Sequence, residues 1–109
     1  MLYLHGIGHF FPENVITNRF ISELDIGSDE QWILERVGIS ARRTSLDLNY
    51  IKTTKNKNPG AAAEASTSTR SEAAAAAAKM ALSRAGIKPG DIGMVISGTS
   101  TPEYTIPAE

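Results

Sequence analysis

The 109-residue chain contains no cysteine. That excludes a disulfide framework, a thiolate metal site and a cysteine nucleophile of its own. Neither sign of charge is in excess: eleven Lys and Arg face twelve Asp and Glu, for a formal net charge of −1. A dedicated nucleic-acid binder is usually strongly basic, so no nucleic-acid partner is expected. No apolar run approaches membrane-spanning length, which argues against a membrane partner. The opening segment lacks a basic n-region and reaches Pro12 too soon for a signal peptide, so a cytoplasmic location is the default expectation. Aromatic residues are scarce, at 6% of the chain, and Trp32 is the one tryptophan. With 41% hydrophobic and 21% charged residues the chain is no disordered polymer, and its length suits one core.

The lone tryptophan draws attention to residues 32 to 39, an amphipathic helical turn that leaves through Gly38 and Ile39. Trp32 and Arg36 lie four residues apart and share one helical face. A flat ring beside a guanidinium suits a nucleotide, since the ring stacks on a base while the cation meets phosphate. The competing reading makes Trp32 a core or interface anchor and Arg36 a solvated surface charge. Spacing alone leaves both open.

Residues 2 to 10 read as a strand, with Leu2, Leu4, Ile7 and Phe10 apolar and an imperfect alternation that fits cover on both faces. Gly6 and Gly8 do not continue into a dinucleotide fingerprint, because Phe11 stands at the third glycine position. They fit better as places where another backbone passes close to the strand. His5 and His9 have no ligand-spaced carboxylate or imidazole around them, so no metal site is expected. Residues 12 to 14 form a turn, and Thr17 or Asn18 can cap a short helix through Leu24 that Gly27 ends. Ser28 is expected to cap the next helix by accepting from the amide of Gln31, with Asp29 and Glu30 favoured in its first turn and Gly38 closing it.

Residues 39 to 44 should run extended. From 46 to 70 the periodicity degrades into a turn-rich, polar stretch with hints of short helices, an extended connection of the kind that is usually functional or mobile. Arg36, Arg42, Arg43, Lys52, Lys55 and Lys57 face only Asp47 among acids, a local positive patch suited to phosphate or to an acidic partner. A solvated loop kept soluble by lysines explains the same residues. Thr69 and Glu72 match a capping box ahead of an alanine-rich helix that Gly86 and Pro89 end. Its small apolar face (Ala74, Ala77, Ala78, Ala81, Leu82, Ala85) predicts close packing in an internal layer. Residues 92 to 96 read as a buried parallel strand, and residues 97 to 102 as a polar loop at its carboxyl end, where α/β proteins place their sites. The order strand, short helices, long helix, strand makes the fold class α/β. Two strands make a poor sheet, so the chain is expected to be part of a larger fold, with a further element opening at residues 106 to 109.

These features together resemble the β-ketoacyl-acyl carrier protein synthase III family of the thiolase superfamily. The matching residues are Gly6, Ile7 and Gly8, then Pro12, Thr17 and Asn18, then Ser28 to Glu30 ahead of Trp32, Ile33, Arg36, Gly38, Ile39 and Arg42. Ala81, Leu82, Ala85 and Gly86, then Asp91 and Ile92, and the stretch from Thr99 to Pro107 continue the match. It covers nearly the whole chain apart from residues 46 to 70 and is most specific from Trp32 to Arg42.

The resemblance implies that residues 1 to 109 are the amino-terminal part of a five-layered αβαβα thiolase-like domain, with an insertion at about 46 to 70. It implies a decarboxylating Claisen condensation, in which an acyl group from acyl-coenzyme A passes to an enzyme cysteine and is joined to malonyl-acyl carrier protein. Trp32 and Arg36 match the residues that hold the adenine end of coenzyme A, here a substrate thioester rather than a bound cofactor. The family's cysteine nucleophile and its His and Asn partners fall outside the matched residues. Such a thiolate beside an imidazolium is what the chemistry needs. Catalysis therefore implies the remaining carboxyl-terminal part of the enzyme, on a second polypeptide or on a longer chain of which this is a fragment, together with a homodimer and an acyl carrier protein. The stretch from 46 to 70 exceeds that of the fatty-acid-initiating members, so donor and acceptor can differ. Two alternatives remain: acyl transfer without condensation, and a non-catalytic module whose positive patch holds an acidic carrier protein.

Overall fold

The computed structural model describes residues 1–101. The element expected at residues 106 to 109, and the matched stretch beyond Thr101, lie outside the described residues. The described chain is α/β and falls into two compact units, one of Phe11–Thr67 and one of Met1–Phe10 with the chain from Ser68 onward.

In the Phe11–Thr67 unit, β1 (Asn14–Thr17) pairs antiparallel with β2 (Ala41–Thr44), in register from Asn14 opposite Thr44 to Thr17 opposite Ala41. Between them lie α1 (Asn18–Glu23) and α2 (Glu30–Val37). Thr17 caps α1, its hydroxyl accepting from the Phe20 amide at 3.1 Å. Asp25 and Gly27 stop that helix with left-handed backbone, at φ 51° and 86°. Asp29, not Ser28, caps α2: its carboxylate accepts from the Trp32 amide at 2.7 Å. A carboxylate complements the helix dipole where a hydroxyl cannot, which moves the start by one residue. Gly38 ends α2 as expected, at φ 70°.

Residues 46 to 70, in which the sequence shows no sustained period, hold two short helices. Asp47 caps α3 (Leu48–Thr54) through the Tyr50 amide, and Asn58 caps α4 (Pro59–Glu64) through the Ala61 amide. Their ends are joined by the bonds from the Asp47 amide to the Ala65 carbonyl and from the Thr67 amide to the Ser45 carbonyl. The core of this unit is small: Ile33, Tyr50 and Ile51 are buried, with Asn18 the one buried polar residue among those described. The buried Tyr50 hydroxyl donates to the Asn58 carbonyl at 2.7 Å and so closes the turn containing Lys55 and Asn56, both left-handed.

In the second unit α5 (Arg70–Ala85) begins with the expected capping box. Thr69 Oγ1 accepts from the Glu72 amide, and the Glu72 carboxylate accepts from the Thr69 amide at 2.8 Å. Gly86 closes the helix at φ 67°, and Pro89–Asp91 forms a single 3-10 turn. Gly6 and Gly8 lie directly on α5, beside Ala81 with Ala85 and beside Ala77 with Ala81. Arg84 Nη1 donates to the Ile7 carbonyl at 2.8 Å and ties the same stretch to the helix. The two glycines thus serve the close backbone approach read from the sequence.

Three expectations for this unit are corrected. Residues 2 to 10 and 92 to 96 take no regular secondary structure, and the sheet among the described residues consists of β1 and β2 alone. A strand needs a neighbour for its N–H and C=O groups, and residue pattern cannot supply one. Nor is the second stretch buried: Val95 is 84% and Ile96 87% exposed. Finally, no residue of α5 is fully buried; Ala77, Ala81, Leu82 and Ala85 are half covered while Ala74 and Ala78 face out. An internal layer needs cover on both sides, and among the described residues α5 receives it on one.

Candidate functional site

The candidate site is the outer face of α2 with its exit. The N-cap Asp29 sets where the helix begins, and this places Trp32 at its third residue and Arg36 in its last turn. A cation there opposes the partial negative charge of the helix carboxyl end. Ile33 is the buried residue of α2 and turns that side of the helix inward. Trp32, 50% exposed, and the exposed Arg36 remain available on a shared face. Gln31 and Glu35, joined at 2.6 Å, cover the flank of the helix. An indole that offers half its surface together with a cation one turn later is a surface that can take a flat, anionic ligand. A half-exposed Trp32 is not a core anchor, which leaves the interface anchor as the competing reading.

Of the six cations of the sequence patch, Arg36 stands exposed on α2 and the other five divide into two sets. Arg42 Nη1 donates to Asn18 Oδ1 at 2.9 Å, and Arg43 Nη1 donates to the carbonyls of Pro12 and Glu13 at 3.3 and 3.1 Å. These two arginines fasten chain to chain. Lys52, Lys55 and Lys57 are exposed, with Lys52 Nζ 5.7 Å from the centre of the Phe20 ring. Lys52 and Lys55 line a shallow recess shared with Glu23, Leu24 and Asp25, so its charge is mixed rather than cationic.

One residue has more weight than the pattern shows. Asn18 is 6% exposed and hydrogen-bonded on every side: its Nδ2 donates to the Ile39 carbonyl at 2.8 Å, its Oδ1 accepts from Arg42, and its amide donates to the Ser40 carbonyl at 3.1 Å. An asparagine beside a capping threonine reads as a second cap candidate, and nothing local marks it as buried. Among the described residues no group of three or more His, Asp or Glu is placed to hold a metal ion, and no helix is long and apolar enough to cross a membrane.

No family model matches the chain. It nonetheless has sequence relatives of one kind among those that cover most of it. Proteins named β-ketoacyl-acyl-carrier-protein synthase III from Sinorhizobium medicae and Coxiella burnetii are 36% and 28% identical to it, each over 96% of this chain. A protein named β-ketoacyl-acyl-carrier-protein synthase III 1 from Bacillus cereus is 35% identical over 94% of it. The chain spans only 26% to 27% of the length of these relatives. For this α/β chain, homology to these synthases implies a fold of the thiolase-like class. Within that class it is homologous to the β-ketoacyl-acyl-carrier-protein synthase III family and corresponds to part of such a protein.

Proposed function

We propose that this chain contributes the coenzyme A-binding segment of a 3-oxoacyl-acyl carrier protein synthase III-like condensing enzyme, an acyltransferase of fatty-acid type biosynthesis. The observation that carries the reading is the combination of near-complete coverage of this chain by synthase III relatives with an α2 that leaves Trp32 and Arg36 exposed on one face. Trp32 stacks on the adenine and Arg36 meets phosphate, so both act in binding and neither in bond making. The nucleophile is a cysteine supplied from outside these residues, since the chain has none. The reaction is the decarboxylating condensation of an acyl-coenzyme A with malonyl-acyl carrier protein, within a five-layered αβαβα thiolase-like homodimer in the cytoplasm. Lys52, Lys55 and Lys57, exposed in the stretch from 46 to 70, offer the acyl carrier protein three ammonium groups, two of them beside Glu23 and Asp25.

The test is coenzyme A affinity in the synthase-length protein. Trp32→Ala with Arg36→Ala is expected to weaken binding by about 2–4 kcal/mol, from a lost stack and a lost charged hydrogen bond. An unchanged dissociation constant in the folded double variant rejects the assignment. Transfer of the acyl group to malonyl-acyl carrier protein without release of carbon dioxide would replace condensation by simple acyl transfer. Loss of carrier-protein association when Lys52, Lys55 and Lys57 become Glu, with coenzyme A binding intact, separates the docking surface from the nucleotide site. Persistence of association at low salt would reduce the lysines to a solvated face.

A further inference from the structure

We propose that Asn18 and Arg42 are positioning residues that hold the exit of α2 and thereby aim Trp32 and Arg36; the role in ligand binding rests on the coenzyme A reading above. The two ends of α2 are held unequally. At its entry the chain passes Gly27, left-handed at φ 86° with nothing within 4 Å of where a Cβ would stand, next to the exposed Ile26. At its exit Gly38 turns left-handed and its amide closes on the Leu34 carbonyl at 2.9 Å. The two residues that follow are held at once by Asn18, through the Ile39 carbonyl at 2.8 Å and the Ser40 carbonyl at 3.1 Å.

Asn18 is itself held. It is the first residue of α1, so its amide and Cα are set by the Thr17 cap, and its Oδ1 receives the Arg42 guanidinium at 2.9 Å. Arg42 sits in β2, paired with Ile16 of β1. The exit of α2 is therefore pinned to both the sheet and α1 through one buried amide group. A primary amide is the side chain that can donate to one carbonyl while accepting from a guanidinium. Arg36 lies two residues before Gly38 and Trp32 one turn further back, so a change in the exit angle moves both. Misplacing a positioned group by about 1 Å can cost up to roughly 100-fold in its effect.

The experiment measures coenzyme A affinity by calorimetry in the synthase-length protein, with amide hydrogen exchange of residues 34 to 40 on the same samples. Asn18→Ala is expected to weaken coenzyme A about tenfold, a change of about 1.4 kcal/mol, and to speed exchange at the α2 exit. In a Trp32→Ala, Arg36→Ala background the same substitution should have no further effect on affinity, because there is nothing left to aim. Arg42→Lys, which keeps a charged donor for Asn18 Oδ1, should bind close to the parent, and Arg42→Met should not. Should Asn18→Ala fail to fold, the Arg42 pair carries the same comparison. Unchanged affinity in folded Asn18→Ala or Arg42→Met overturns the proposal, as does an effect of Asn18→Ala that persists in full without Trp32 and Arg36. If the Trp32 and Arg36 double variant itself binds coenzyme A normally, the coenzyme A reading fails instead. Exchange then decides the buttress alone, and slow exchange at residues 34 to 40 in Asn18→Ala refutes it.

Discussion

Replacing Gly8 by alanine would put a methyl group where α5 already has backbone. A Cβ built at Gly8 falls 2.7 Å from the Ala81 nitrogen and 2.9 Å from the Ala77 carbonyl carbon, with the Ala77 oxygen nearer still. Ala77 and Ala81 stand in the middle of a sixteen-residue helix, so these atoms cannot yield without breaking its ladder. The segment around Gly8 must lift instead, by on the order of 1 Å to restore ordinary carbon separations. Overpacking of this kind costs about 1–3 kcal/mol. Lifting also stretches the Arg84 bond to the Ile7 carbonyl, now 2.8 Å, a charge-assisted bond worth about 1.5 kcal/mol. Against this, alanine stabilises by restricting the unfolded chain, by about 0.4–1 kcal/mol. The clash wins, and the net expectation is a loss of about 2–3 kcal/mol. Gly90→Ala isolates the opposing effect, since nothing lies within 4 Å of its Cβ and its φ is not positive. It should be neutral or stabilising by about 0.5 kcal/mol. Gly6→Ala meets the Ala81 carbonyl and, at 3.1 Å, the Ala85 Cβ, and should fall between the two. Equilibrium urea unfolding followed by helix circular dichroism gives the order. If Gly8→Ala lies within about 0.5 kcal/mol of Gly90→Ala, the close approach to α5 is not what Gly8 is for.

Tyr50→Phe removes the hydroxyl that closes the turn at residues 55 to 58 and leaves the Asn58 carbonyl without that donor. A loss of about 1–2 kcal/mol in the same unfolding assay is expected, with faster amide exchange confined to the turn. Thr69→Ala opens the capping box of α5 and should cost about 1 kcal/mol, while Ser68→Ala, one position earlier and outside the box, should not. Lys55→Gly relieves a left-handed φ of 51° at an exposed helix end and should be neutral or slightly stabilising despite the added flexibility of glycine. A clear destabilisation by Lys55→Gly would mean that its side chain holds the turn.

What could be read from the linear chain was whatever a few neighbouring residues decide among themselves. The Thr69 and Glu72 box, the left-handed stops at Gly38 and Gly86 and the cap at Thr17 are bonds spanning four or five residues, so they appear wherever their residues stand in order. The start of α2 was misplaced by one residue because Ser28 and Asp29 compete locally, and the helix dipole decides between them. The pairing of Trp32 with Arg36 on one face follows from helix period alone. That both are exposed depended on the opposite side of α2, where Ile33 is buried, packing on α1.

Tertiary structure alone decided the rest. Arg42 and Arg43 read as part of a cationic surface, yet their guanidinium groups fasten Asn18 and the carbonyls of Pro12 and Glu13, some twenty to thirty residues away. Lys52 and Lys55 share their recess with Glu23 and Asp25, which pattern cannot place beside them. Residues 2 to 10 and 92 to 96 have the composition of strands without becoming strands among the described residues, because a ladder is a property of two chains of hydrogen-bonding groups and never of one. Local chemistry determined where the helices begin and end. Long-range packing determined which polar groups are spent on holding the chain together and which are left to meet a ligand.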